Sequence, residues 1–539
     1  MEAGVKRMST GVPQGDAAQI HLIAAGEPMD AAASPETMGF KAYNLARMAA
    51  LGLNVPPAFV LGTGFCADPE LATPALWHDA LARLEVATGP RLGDPRRPLL
   101  LSVRSGAPVS MPGMMETLLN IGLTEATLPG LIRLTGNSRL AWDAYRRLIC
   151  GYGEVVAGIE ASAFEADLDA VRQGEDERAL DFAALRDLAG RHLETFRQLA
   201  GEPFPQDAAA QLQAAVAAVF RSWSSAKADA YRKMRGLSDA MGTAVTVQRM
   251  VFGNAGGLSG AGVGFTRNPS DGEPALWVDF LFNAQGEDVV SGRRSAQGHE
   301  RLAAIAPRVW DELAGAAKAL ERHFGDMQDF EFTVEDGELF MLQTREGKRT
   351  PLAAARIALD MLDEGLIDRD TARARTAKLD AAALATRIVV AEDGAAPVPL
   401  GRAATASSGV ASGGIALDDA QIAALEAQGK RAILVRQNAE TQDVALLDRA
   451  DGLLTRHGAR TSHAAVVARQ LGKVCLVGCE ALRIDEAAGR IGFGDRWLDA
   501  GAVVTLDGNS GTIYIGTLRT EEQVPQELLQ RLDRLHGRA

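Results

Sequence analysis

Between Val389 and Pro399 the chain reads Val-Val-Ala-Glu-Asp-Gly-Ala-Ala-Pro-Val-Pro. Glycine, proline and short side chains make this stretch a poor helix and a poor core segment, so it reads as a hinge between two regions. A chain of 539 residues is in any case too long for one compact core. The residue patterns on the two sides of the hinge differ, and each side carries its own chemistry.

Ahead of the hinge, residues 1–24 form a polar lead-in. Phe40 to Ala50 is an Ala-rich helix ended by Gly52 and Pro56-Pro57. Leu99–Val103 is a short apolar strand; Arg104 closes it and opens a Gly/Pro loop from Ser105 to Gly113. Residues 130–236 carry Ala, Leu and Arg at helical spacing. Strands then follow at Ala244–Phe252, Gly262–Thr266 and Leu276–Phe282, with a helix over Gln297–Phe324 and a hairpin over Asp329–Thr344. The pattern predicts a first domain over 25–350 and a helical connector over 351–399, which ends in the hinge. It predicts a second unit over 400–516, with strands at Ala432–Arg436, Gly501–Leu506 and Gly511–Ile515. Residues 517–539 are a polar helical tail. The fold class is α/β in the broad sense, with α+β character.

The net charge of −13 and the pI near 5.3 argue against general binding to nucleic acid or acidic membrane, while leaving room for a local basic pocket. No run of 18 apolar residues and no basic-then-apolar leader is present, so a cytoplasmic protein is expected. Four cysteines, Cys66, Cys150, Cys475 and Cys479, fit reduced thiols better than a staple framework.

Two places carry chemistry. Gly458-Ala459-Arg460-Thr461-Ser462-His463-Ala464-Ala465 puts a histidine where a loop turns into an apolar helix. The Thr-Ser pair suits a helix cap, and first-turn amides form an anion site, so His463 could carry a phosphoryl group. The alternative is a capped helix with an incidental histidine. In the hairpin, Glu331 and Gln343 are equidistant from Gly337; a symmetric turn would oppose them closely enough to share one Mg²⁺. Arg345 would lie on that face and pair with a phosphate. A solvent-facing polar hairpin is the alternative. Lys41, Arg104 and the glycine-rich Gly253–Gly264 stretch offer weaker phosphate signals, because lone cations are usually solvated and glycine runs are often turns.

Several longer runs resemble the pyruvate, phosphate dikinase family of phosphoenolpyruvate-utilising enzymes. They are Ser102-Val103-Arg104-Ser105-Gly106-Ala107 with Ser110-Met111-Pro112-Gly113-Met114-Met115-Glu116-Thr117, Gln248-Arg249-Met250-Val251-Phe252-Gly253-Asn254, and Phe265-Thr266-Arg267-Asn268-Pro269. Asn283-Ala284-Gln285-Gly286-Glu287-Asp288-Val289-Val290, Leu342-Gln343-Thr344-Arg345-Glu346-Gly347-Lys348-Arg349 and Thr461-Ser462-His463-Ala464-Ala465 follow in the family's order.

The resemblance implies an ATP-grasp domain with a helical insertion, followed by a swivelling β/α phosphohistidine domain. Lys41, Arg104 and Arg345 would hold nucleotide phosphates, and Glu331 and Gln343 would hold Mg²⁺. Gln248, Met250 and Val251 would line the adenine pocket, with Glu287 a further nucleotide-site candidate. His463 would accept phosphoryl from ATP, releasing AMP, with Thr461 positioning it. Orthophosphate or water would take the terminal phosphate.

Two local departures stand out. Gly39-Phe40-Lys41-Ala42 replaces the family's Gly-Gly-Lys-Gly, which weakens the expectation of a glycine contact to phosphate. Arg456-His457-Gly458-Ala459-Arg460 replaces a glycine-rich run and adds positive charge beside His463. His457 lacks the helix cap behind it, so His463 is the expected acceptor.

The family's C-terminal barrel for pyruvate or phosphoenolpyruvate spans about 250 residues, whereas 23 residues follow Gly516 here. The acceptor site is therefore expected on a separate barrel subunit, another protein or a small molecule. Phenol- or antibiotic-type dikinases and a non-catalytic nucleotide-binding regulator are the rival readings, and a homo-oligomer is compatible with all of them.

Overall fold

The computed structural model describes residues 19–69, 72–109, 111, 114–174, 177–290, 297–390, 397–438, 443–460 and 462–538. Its contacts divide into two compact units, 1–256 with 340–343 and 257–339 with 344–539.

The first unit is built on a five-stranded antiparallel sheet in the order Ile20–Ile23, Ala58–Leu61, Ala244–Arg249, Leu101–Gly106, Thr117–Ile121. The central strand, Ala-Val-Thr-Val-Gln-Arg, is buried along its first five positions, as β-branched side chains with neighbours on both sides require. Helices cover it, and the predicted helical region is real: Leu128–Thr135, Ser138–Val155, Ala161–Arg172, Phe182–Ala200, Ala208–Arg221 and Ala226–Arg235. Asn137, Asp181, Asp207 and Ser225 each cap a helix through the side chain. Tyr145, Tyr152, Phe196 and Phe204 meet edge-on or tilted in the insertion's core. The strand expected to close at Arg104 continues through Gly106, because Ser105 and Gly106 keep pairing with Val245 and Ala244.

The second unit opens with a sheet in the order Glu338–Glu346, Gln328–Glu335, Gly260–Phe265, Trp277–Phe282, Gln297–Gly298. Its glycine-rich strand starts earlier than expected. A Cβ at Gly260, Gly262 or Gly264 would come within 2.1, 2.4 or 2.5 Å of the Phe280, Phe332 or Phe330 ring, so these glycines make room for aromatics. The helix expected over 297–324 is a short strand and two helices, His299–Ile305 and Pro307–Phe324, split where Pro307 starts a new helix.

The connector is helical as expected: Pro351–Asp363, Arg369–Thr376 and Ala381–Leu384. It shares a core with the tail helix Gln526–His536 through Leu359, Leu384, Leu528, Leu532 and Leu535. Strand Thr386–Val389 pairs antiparallel with Thr520–Gln523, so the segments entering and leaving the histidine-bearing region run side by side. Of the expected hinge, residues 391–396 lie outside the described residues, as do 1–18 of the lead-in.

That region has an eight-stranded mixed sheet. Four of its strands, Val410–Ala416, Ala432–Arg436, Gly452–Thr455 and Val474–Val477, are parallel neighbours. Helices Asp419–Ala427, Val444–Arg449 and His463–Gln470 supply the crossovers that parallel pairing demands.

Candidate functional site

In the first unit, Gly39 has φ +76°, and a Cβ there would lie 1.9 Å from the Gly106 carbonyl oxygen. Only glycine permits that approach. Phe40 N donates to Ala107 O at 2.8 Å, which joins the start of helix Phe40–Ala50 to the loop leaving Arg104's strand. Gly39 offers no side-chain cap, and exposed Lys41 is the second residue of the helix. Arg104 is half-buried. Gln248 is buried, and its amide donates to Pro56 O at 3.0 Å, bracing the chain before strand Ala58–Leu61. Met250 and Val251 are half-buried just past that strand's end, with Met250 N on Leu100 O at 2.8 Å.

In the second unit, strand register lines up the chemistry. Asp279, Val263 and Glu331 form one row across three neighbouring strands, and Trp277, Phe265 and Asp329 form the next row on the same face. Arg345 Nε donates to Asp329 Oδ2 at 2.8 Å, so Arg345 lies on the Glu331 face, as expected. Burial pushes the Asp329 carboxyl up despite Arg345. Burial alone would lower Arg345, but Asp329 and Glu331 outweigh it and hold the guanidinium charged. Glu331 and Gln343 are both half-buried. Glu287 lies in helix Gly286–Val290, and its side chain falls outside the described residues.

Helix His463–Gln470 starts at the carboxyl end of the parallel strands, where α/β sheets place their ligands. Ser462 caps it, accepting from Ala465 N at 3.4 Å, and His463 is its first residue. Thr461 and the His463 side chain lie outside the described residues.

The loop before this helix is pinned to the row face. Arg460 donates from Nε to Asp279 Oδ1 at 3.0 Å and from a terminal nitrogen to Val278 O at 3.1 Å, with its guanidinium 4.4 Å from the Trp277 ring centre. Arg469, 4% exposed, lies 5.5 Å over both Trp277 and Phe265, and burial lowers its pKa to about 10. Asp279 and Trp277 were missed in the sequence. The available signal was an aspartate alternating with buried apolar residues in Trp277–Phe282.

The Phe265-Thr266-Arg267-Asn268-Pro269 run also has a structural job. Arg267 is bidentate to Glu321 at 2.9 and 3.0 Å and reaches Glu364 at 2.6 Å, tying the sheet to the connector. Among the described residues no group of three or more His, Cys, Asp or Glu gathers as a metal cluster. The four cysteines are free thiols. No helix among the described residues is long and apolar enough to cross a membrane.

The family model described as "Pyruvate phosphate dikinase, AMP/ATP-binding domain" matches residues 72–304 and 299–366, more than half of the chain. The chain belongs to the pyruvate phosphate dikinase family. The model of the mobile domain of phosphoenolpyruvate-utilising enzymes matches residues 428–511, the region that contains His463. The chain is 43% identical over 494 residues to pyruvate, phosphate dikinase 2 of Oryza sativa subsp. japonica, covering 90% of this chain and 55% of that protein. It is 41% identical over 523 residues to the pyruvate, phosphate dikinase of Rhizobium meliloti (strain 1021), covering 93% and 58%. The Clostridium symbiosum protein of the same name is 41% identical over 502 residues, covering 90% and 57%. The chain therefore spans little more than half the length of these dikinases.

Proposed function

We propose that this chain performs the nucleotide half-reaction of a pyruvate, phosphate dikinase-like phosphotransferase. The observation that carries the reading is the pinning of the His463 loop, through Arg460 and Asp279, to the strand row that holds Glu331. Adjacent strands are spaced ~4.8 Å apart, so Asp279 and Glu331 are separated by about 10 Å. A histidine three residues beyond Arg460 is thereby tethered close to the candidate metal ligand.

The neutral imidazole of His463 attacks the β-phosphorus of ATP, the bond to the α-phosphate oxygen breaks, and AMP leaves. Orthophosphate, rather than water, takes the terminal phosphate as pyrophosphate, and the remaining phosphoryl passes from His463 to pyruvate. Splitting the transfer into two displacements lowers each barrier. The helix N-terminus behind Ser462 stabilises negative charge on the modified ring. Lys41 and Arg104 in the first unit, and Arg345 in the second, are the cations suited to phosphate. Met250 and Val251 border the base. Glu331 and Gln343 are hard oxygen donors that suit Mg²⁺, and Glu331 sits beside a charged Arg345, as a phosphate site needs. Bound there, Mg²⁺ would supply charge neutralisation on the transferring group.

Incubation with [β-³²P]ATP and Mg²⁺ tests this reading. Acid-labile, base-stable label that requires His463 and survives His457→Ala is expected, with AMP released in step. Label that persists in His463→Ala would remove the histidine from its role.

A further inference from the structure

Beyond Arg104's strand, Ala107 and Met111 are seated among sulfur atoms. Ala107 and Met111 are buried against Trp223 and Ala228, and Cys66, Met114, Met115 and Met241 pack on them half-buried. Four of the chain's fourteen methionines and one of its four cysteines thus gather at one loop seat. The seat is reachable from solvent: a cleft of about 610 Å³ is walled by Cys66, Trp223 and Met241. Trp223 is fixed in that wall by Nε1 on Asp239 O at 3.2 Å and by the Arg232 guanidinium 4.2 Å from its ring centre.

We propose that Met241, Met114 and Met115 are a peroxide-responsive modification site that controls the seating of Ala107 and Met111. A thioether sulfur attacks one oxygen of hydrogen peroxide. The O–O bond breaks, the sulfur is oxidised by two electrons to the sulfoxide, and the second oxygen leaves as water. Thioethers need no deprotonation for this step, whereas a thiol reacts as its thiolate. Burial pushes the Cys66 thiol up, so Cys66 is the poorer reductant despite its place in the cleft wall. A sulfoxide brings a strong dipole into an apolar cluster, so the oxidised side chain turns outward and Ala107 and Met111 lose their seat. Arg104 lies three residues before Ala107 on the strand Leu101–Gly106, and Phe40 N bonds Ala107 O, so the phosphate-binding residues of the proposed function would move with Ala107.

The consequence for nucleotide chemistry rests on that functional reading; the modification itself does not. The full chain is treated with graded hydrogen peroxide, quenched with catalase and mapped by peptide mass spectrometry. Limited proteolysis across residues 105–117 and His463 labelling are followed in parallel. Oxygen is expected at Met241, Met114 and Met115 before the buried Met38, Met48 and Met341, with faster cleavage of the loop. Labelling should fall about a hundredfold, the loss a misplacement of 1 Å brings. Methionine sulfoxide reductases A and B should restore both readouts. Met241→Leu and the Met114→Leu, Met115→Leu pair keep the volume and should protect the treated protein, singly or together. Oxidation confined to exposed Met234, loss unchanged in the leucine variants, or protection by Cys66→Ser alone would overturn the proposal. Should untreated protein take no label, the functional reading fails, and loop cleavage alone decides the proposal.

Discussion

The Arg460 guanidinium meets the Asp279 carboxylate at 3.0 Å, and Asp279 is 2% exposed. The contact ties the loop before His463 to the strand beside Gly260–Phe265, and under the proposed function it would govern how often the histidine reaches the nucleotide. A charge-assisted hydrogen bond of this kind is worth about 1.5–3 kcal/mol, and removing one partner also strands the other. Arg460→Ala and Asp279→Asn should each slow His463 labelling roughly ten- to hundredfold while nucleotide affinity stays unchanged. A double-mutant cycle should give a coupling energy near the single-mutant loss. Additive effects would place the two residues in separate roles.

Gly39 makes a sharper prediction, because no side chain fits at φ +76° with the Gly106 carbonyl 1.9 Å from the Cβ position. Gly39→Ala must push the helix start away from the loop and should cost at least about 2 kcal/mol. The nucleotide dissociation constant should rise with it, while the helical insertion keeps its far-ultraviolet dichroism. Gly136→Ala is the control: it shares the positive φ but has open space around it, and should leave nucleotide binding alone.

Much of this architecture was legible in the sequence where local rules decide. Helix Phe40–Ala50 falls on its expected bounds because Gly39 and Gly52 bracket an Ala-rich run. The hairpin and the His463 cap were legible for the same reason. What could not be read is set by long-range pairing. Gly260, Gly262 and Gly264 look like a phosphate loop until Phe280, Phe330 and Phe332 are placed against them. The hydrogen bond from Gln248 to Pro56 joins residues 192 apart in sequence, a partner no local pattern announces. Arg460 showed only extra charge beside the histidine, since Asp279 lies 181 residues earlier.

The insertion's stability should depend on acid in a defined direction. Asp143 is buried, which alone would raise its pKa; Arg147, Arg146 and Arg139 outweigh that and hold it below the usual carboxylate range. A carboxylate depressed on folding contributes stability that is present above its unfolded pKa and is lost as pH falls through the folded value. Unfolding free energy should therefore drop as pH falls below about 4, the ordinary aspartate range. Asp143→Asn should lose about 1.5–3 kcal/mol at neutral pH, because Arg146 and Arg147 lose a buried charge-assisted partner and keep only Glu177, and should flatten the acid limb. Denaturant titrations at pH 7 and below 4 measure both effects; an unchanged acid limb would assign the loss to other carboxylates.

The tail offers the last test. Leu532 is fully buried, and it packs with Leu528 and Leu535 against Leu359 and Leu384 of the connector. Arg531 reinforces the contact at 2.8 Å to Asp360 and 2.9 Å to Asp363, and Arg373 donates to Leu535 O at 2.9 Å. The connector and the tail helix therefore fold as one body, and the paired strands Thr386–Val389 and Thr520–Gln523 extend from it. Leu532→Ala should cost about 2–5 kcal/mol in that body. Hydrogen exchange should quicken in Pro351–Asp363 and Gln526–His536 together, with the sheet around Gly260–Phe265 unaffected. Because the two strands share that anchor, loosening it should also broaden the positions the His463 region samples and lower labelling without changing nucleotide affinity. Faster exchange in the tail alone would mean that the connector holds its shape without it.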